Sequence, residues 1–96
     1  MTKPPMLQAR CSIIIPVFNG WEVTQRCLES IRATTPEGAT EIIVIDNASS
    51  DATPGELERI GAKGWVKVFR NERNESYAHA NNQGAALSAA PVLVFL

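Results

Sequence analysis

Ile42-Ile43-Val44-Ile45, apolar and β-branched at consecutive positions and closed by Asp46, constrains this chain more than any other stretch. A strand with one wet face alternates apolar and polar residues. A run without alternation is covered on both faces, as in a parallel sheet between helices. Asp46 then stands at the carboxyl end of the strand, followed by the small and polar Asn47-Ala48-Ser49-Ser50-Asp51. Open α/β sheets bind their ligands outside the carboxyl ends of the strands, near the point where the strand order reverses. That placement makes Asp46 a candidate for function, although Asp46 and Asp51 are equally suited to shaping a turn or capping a helix.

The same pattern recurs. Cys11-Ser12-Ile13-Ile14-Ile15-Pro16 reads as a first central strand, which Pro16 is expected to end because proline donates nothing to a ladder. Val17-Phe18-Asn19-Gly20 follows as a turn, with Asn19 or Gly20 capping a helix from Trp21 whose inner face carries Val23, Cys27, Leu28 and Ile31. Thr34-Thr35-Pro36-Glu37-Gly38 breaks that helix. Past Asp46, Asp51 or Thr53 caps a short helix with Pro54 at its start, Leu57 and Ile60 inside and Gly61 at its stop. Trp65-Val66-Lys67-Val68-Phe69 alternates more and suits a strand near the sheet edge. Ser76 caps a helix expected to run from Tyr77 to Ala90, with Tyr77, Ala80, Gly84 and Leu87 as a stripe of mostly small residues, and Val92 to Leu96 reads as a fourth buried strand. The order βαβαβαβ predicts an α/β, Rossmann-like parallel sheet with right-handed crossovers and helices on both faces.

Ninety-six residues make one domain at most, with residues 1–10 as a loose lead-in and the sheet domain over 11–96. A hydrophobic content of 45% against 20% charged residues excludes a disordered tail, and a formal net charge of -1 gives no reason to expect nucleic acid as a partner. Met1 to Arg10 lacks the apolar core of a secretory signal, so the chain is expected in the cytoplasm. Cys11 and Cys27 match no metal or redox spacing and are expected as reduced, packed thiols. His79 has no second ligand at metal spacing and reads as a surface or packed imidazole. A chain that stops inside the apolar Val92-Leu93-Val94-Phe95-Leu96 reads as part of something longer.

Three stretches carry a resemblance. Ile13-Ile14-Ile15-Pro16-Val17-Phe18-Asn19, then Ile43-Val44-Ile45-Asp46-Asn47-Ala48-Ser49-Ser50-Asp51, then Asn74-Glu75-Ser76-Tyr77-Ala78-His79-Ala80-Asn81-Asn82-Gln83-Gly84 resemble, in order and spacing, the successive signatures of family 2 glycosyltransferases of the GT-A fold. The resemblance implies that residues 11–96 are the nucleotide-binding half of such a domain, with strand order 3-2-1-4. It implies a nucleotide-binding set of Pro16, Val17, Phe18, Asn19, Asp46, Asn47, Arg73 and Asn82. Phe18 takes the place of the aromatic that stacks on the base, beside backbone at Pro16 and Val17. Asp46 takes that of the acid that accepts from it. A carboxylate suits the N3–H that uracil and thymine carry and cytosine lacks, so a UDP- or dTDP-sugar is the expected donor. Asn82 is a candidate contact to base, ribose or the Asp46 loop, and Arg73, and after it Arg70, a candidate for the diphosphate.

Ser76 and Tyr77 replace the usual glycine and phenylalanine, and Asn47 stands where many relatives carry a second aspartate, a departure that resembles the subset working on bacterial surface polysaccharides, rhamnosyl-type transferases among them. The family's Asp-x-Asp motif would follow directly after Leu96. The divalent metal (Mn2+ or Mg2+) it binds, the catalytic base and the saccharide or lipid-linked acceptor site therefore belong to the full-length protein, whose place is the cytoplasm or the inner face of the membrane. The chain alone is expected to lack turnover. Exposed surfaces left by a half-domain favour a homodimer. Two other classes compete. A sugar nucleotidyltransferase would carry a glycine-rich basic loop after the first strand, which Pro16-Val17-Phe18-Asn19-Gly20 is not. A non-catalytic nucleotide-binding or interaction module is the other.

Overall fold

The computed structural model describes residues 10–35 and 38–96. The lead-in, apart from Arg10, and the helix break at Pro36 and Glu37 lie outside the described residues. Strands β1 (Cys11–Val17), β2 (Thr40–Asp46), β3 (Lys67–Arg70) and β4 (Val92–Phe95) alternate with helices α1 (Trp21–Thr34), α2 (Thr53–Gly61) and α3 (Tyr77–Leu87). All pairings are parallel and the sheet order is β3-β2-β1-β4, the order implied by the resemblance. The chain's path therefore reverses between β1 and β4.

The consecutive apolar runs are divided between two faces by the pleat. Ile15, Val17, Ile42 and Val44 pack with Leu28 of α1 and with Leu57 and Ile60 of α2. Ile14, Ile43 and Ile45 pack on the other face with Ala80 of α3. That face lies close: a Cβ built on Gly84 would stand 2.3 Å from Ile14 Cγ2. Both cysteines are free thiols, and among the described residues no helix is long and apolar enough to cross a membrane.

Several expectations are corrected. Pro16 does not end the first strand, which continues to Val17 with Pro16 opposite Ile45. In a parallel ladder, alternate residues bond to opposite neighbours. The Val17 carbonyl accepts from Asn47 N on the β2 side and the Ile14 carbonyl accepts from Leu96 N on the β4 side. The missing N–H of Pro16 therefore falls on the β4 side, where the Leu96 carbonyl takes the Tyr77 hydroxyl at 2.8 Å instead. Val23 is 72% exposed and Thr24 takes its place inside. At about 100° per residue, Thr24, Leu28 and Ile31 share a stripe and Val23 lies well off it. Trp65 and Val66 precede β3 rather than belonging to it, while β3 is an edge strand as expected.

Helix α3 stops at Leu87 instead of Ala90, and Tyr77 and Leu87 of its proposed stripe are exposed, with Ala80, Asn81 and Gly84 buried. Its stop is polar. Ser88 Oγ bonds to Ser12 Oγ at 2.6 Å, and Glu41 Oε1 accepts from Ala89 N at 3.2 Å. The strand β4 is not buried: it pairs only with β1, and Val92 to Leu96 are all exposed. Consecutive apolarity reports what a strand tolerates on both faces, not what this chain supplies to cover it.

Glu41 organises the opposite, amino-terminal edge of the sheet. It accepts from Ser12 Oγ at 2.7 Å and from Ala89 N, and pairs with Lys67 of β3. Burial alone would raise its carboxyl, but Lys67, Ser12 and Ala89 together hold it below the ordinary glutamate value. A lowered folded-state pKa means that ionised Glu41 stabilises the fold above its unfolded-state pKa, a contribution lost as pH falls through the folded value. Glu41→Gln is expected to cost about 1 kcal/mol at neutral pH, since Lys67 is largely exposed and screened. In urea unfolding across pH, the gap between the parent and Glu41→Gln should close as acid protonates Glu41. A gap independent of pH would contradict the ion pair's role.

Candidate nucleotide site

The carboxyl ends of β1 and β2 are stapled to each other. Asn47 N donates to the Val17 carbonyl at 2.8 Å, extending the ladder one residue past the strands. Asn19 N donates to Ser49 Oγ at 2.7 Å, and Asn19 Oδ1 accepts from Ser50 N at 2.8 Å. Asn19 is thus spent on the neighbouring loop rather than on capping α1. The cap position falls to Gly20, whose φ of 73° a side chain would resist, and whose N–H donates to Asp51 Oδ2 at 2.8 Å. Asn19 (φ 54°) and Ala48 (φ 63°) both adopt left-handed backbone, so among the described residues the non-glycine positions of this kind sit in these two loops.

Between the stapled residues, Phe18 stands 51% exposed. It is therefore exposed at the tip of β1. Asp46, whose strand neighbour is Val17, is 1% exposed. Its Oδ1 accepts from Ser49 N at 3.0 Å and its Oδ2 from Arg70 Nη1 at 3.3 Å. Arg70, at the carboxyl end of β3, also donates through Nη2 to the Ser49 carbonyl at 3.1 Å.

The structure places the remaining candidates differently. Pro16 lies in the β1 ladder one residue short of the loop. Asn47 is buried and faces inward: its Nδ2 donates to the Glu75 carbonyl at 3.3 Å and its Oδ1 accepts from Asn71 Nδ2 at 2.8 Å. Arg73 is exposed and makes no side-chain hydrogen bond to described residues, so Arg70 is the guanidinium at Asp46. Asn82 is exposed on α3 and makes no bond to the Asp46 loop, whereas its neighbour Asn81 is buried with Oδ1 unpartnered.

Sequence reasoning missed Ser49, Asn71 and Gln83. Asn71 is buried between Asn47 and Gln83, trading two 2.8 Å bonds with the latter. Nothing in a single sequence separates such an asparagine from a solvated one. The Ser49 and Asp51 roles do have a sequence signal, since short polar side chains after a strand repeatedly bond to loop backbone. Among the described residues no group of three or more His, Cys, Asp or Glu side chains is placed to hold a metal ion.

A concavity of about 180 Å³ lies between α1 and α2, lined by Trp21, Arg32, Lys63 and Trp65 among others. None of the loop residues 17–20 or 46–51 reaches it.

The model of glycosyl transferase family 2 matches residues 12–96. The chain belongs to glycosyl transferase family 2. Among its curated relatives are glycosyltransferase AglE of Haloferax volcanii, 36% identical over 88% of this chain and 29% of the relative, and a validoxylamine A glucosyltransferase of Streptomyces hygroscopicus subsp. limoneus, 33% identical over 88% and 19%. Two solved structures share the fold. Mannosyltransferase PcManGT of Pyrobaculum calidifontis, in complex with GDP-Man and Mn2+, superposes with a TM-score of 0.78 at 22% identity, covering 93% of this chain and 27% of that one. GalNAc-T7, with UDP, GalNAc and Mn2+, gives a TM-score of 0.74 at 30% identity, covering 91% and 17%. This family 2 chain thus spans less than a third of each of these proteins.

Proposed function

We propose that this chain is the nucleotide-binding half of a GT-A glycosyltransferase that moves a sugar from a nucleotide diphosphate to an acceptor hydroxyl, and that the edge formed by Phe18, Asn19, Asp46 and Ser49 receives the base. The observation that carries this is the half-exposed Phe18 on a loop hydrogen-bonded to the loop of a buried acid, at the carboxyl edge of a sheet whose order reverses beside it. A ring buries one face of a base, and an ionised carboxylate holds up to about four lone-pair sites, of which the Ser49 N–H and Arg70 take two. A pyrimidine N3–H suits a remaining one, so UDP or dTDP is the preferred nucleotide. The relatives' co-crystallised Mn2+ supports a divalent metal in the full-length protein, with ligands beyond Leu96. The acceptor, a saccharide or lipid-linked sugar, and the catalytic base belong to the same part.

Isothermal titration of the chain with UDP, dTDP and GDP tests the reading. UDP or dTDP should bind and outcompete GDP; GDP binding more tightly would overturn the pyrimidine assignment, and no binding of any would overturn the site. Incubation with UDP- or dTDP-sugars, an acceptor and Mn2+ should give no product above a no-protein blank. Turnover by this chain alone would place the catalytic groups within it.

A further inference from the structure

We propose that Arg70 is a positioning residue for the base site, acting through Asp46. The inference rests on the nucleotide-binding reading above and goes one residue further. Asp46 is almost closed to solvent, so the direction in which it can accept a bond is set by the groups already holding it. There are two: Ser49 N–H on Oδ1 and Arg70 Nη1 on Oδ2. The first is backbone and belongs to every sequence at that position. The second is a side chain, and it does two things at once, because Arg70 Nη2 holds the Ser49 carbonyl.

One planar guanidinium therefore fixes both the plane of the carboxylate and the loop whose N–H holds the other oxygen. Through Ser49 Oγ and Asn19 N the same loop is tied to the backbone that carries Phe18. Arg70 sits on edge strand β3 with its side chain 48% exposed, so removing its head group opens no cavity in either core, though it takes from the buried Asp46 carboxylate its charged partner. The sequence reading places it in the polar stretch after the strand and behind Arg73, whereas it closes β3 itself.

The test is nucleotide discrimination, which a purely structural role would leave unmoved. Cytosine lacks the N3–H, so a correctly held Asp46 carboxylate prefers UDP to CDP. Titrations of UDP and CDP into the parent chain, Arg70→Met, Arg70→Lys, Asp46→Asn and the Arg70→Met/Asp46→Asn pair give the result. Arg70→Met should weaken UDP binding about tenfold, the loss of roughly one hydrogen bond's worth of alignment, and erase most of the UDP-over-CDP preference. Arg70→Lys, which keeps the charge and one donor, should recover part of both. In the Asp46→Asn background, Arg70→Met should add no further loss.

An unchanged or tighter UDP affinity in Arg70→Met, with Asp46→Asn weakened, would overturn the positioning role and leave the base site standing. A loss from Arg70→Met that persists in the Asp46→Asn background and treats UDP and CDP alike would overturn it in favour of a direct phosphate contact. If Asp46→Asn itself binds UDP as the parent does, the base-site reading fails first.

Discussion

Asp46→Ala should weaken UDP binding by about 1.5 to 3 kcal/mol, the range for a hydrogen bond to a charged group, or roughly ten- to over a hundredfold in affinity. The effect is large because nothing nearby can replace the carboxylate. The Ser49 hydroxyl and N–H and the Ser50 N–H are committed to Asn19 and Asp46, a serine hydroxyl lacks the carboxylate's charge, and Asn47 is turned into the Asn71 network. The same substitution releases Ser49 N–H and Arg70, so some loss of stability accompanies it. Binding and folding are separated by titrating well below the unfolding midpoint and by including Asn71→Ala, which disturbs the buried asparagine network without touching the Asp46 carboxylate. Asp46→Ala should lose affinity out of proportion to its loss of stability. Equal affinity for Asp46→Ala and the parent would remove Asp46 from the base site.

Gly84→Ala should destabilise the chain by about 2 kcal/mol, although alanine is the better helix former by about 1 kcal/mol. The added methyl would meet Ile14 Cγ2 at 2.3 Å, Cγ1 at 3.1 Å and Cβ at 3.3 Å, all on one fully buried side chain of the central strand β1. Ile14 has no route of escape, since its strand is paired on both sides and α3 lies over it. Steric cost should therefore exceed the helix gain. Urea unfolding should place Gly84→Ala below the parent, and the Gly84→Ala/Ile14→Ala pair should lie above the sum of its single losses, because truncating Ile14 makes room for the methyl. Strict additivity would show that α3 shifts away instead of clashing.

The sheet was legible because Ile13 to Ile15 and Ile42 to Ile45 leave no polar face, and the order of elements then allows few topologies. What escaped was information held by partners. Pro16 looked like a stop because its missing N–H was weighed without knowing which neighbour it faced; it faces β4, beyond the last paired residue of β1. Val23 looked like core because it is apolar, whereas Thr24 shares the stripe of Leu28. At the candidate site, the placement of Phe18 and Asp46 at the carboxyl ends of their strands was legible from the sequence. The sequence puts Arg73 ahead of Arg70, and only the register of β3 against β2, which sets Arg70 opposite Asp46, reverses that order. Asn81 and Asn82 differ in the same way, by which side of α3 faces the sheet.

Titration of UDP into the uniformly 15N-labelled chain, followed by amide 1H–15N shifts, tests the central claim most directly. The account predicts that the largest shifts gather on Phe18 to Gly20, Asp46 to Ser50 and Arg70, at the joined tips of the strands. Shifts confined to the α1–α2 concavity around Trp21, Arg32 and Trp65, or no shifts at millimolar UDP, would contradict it.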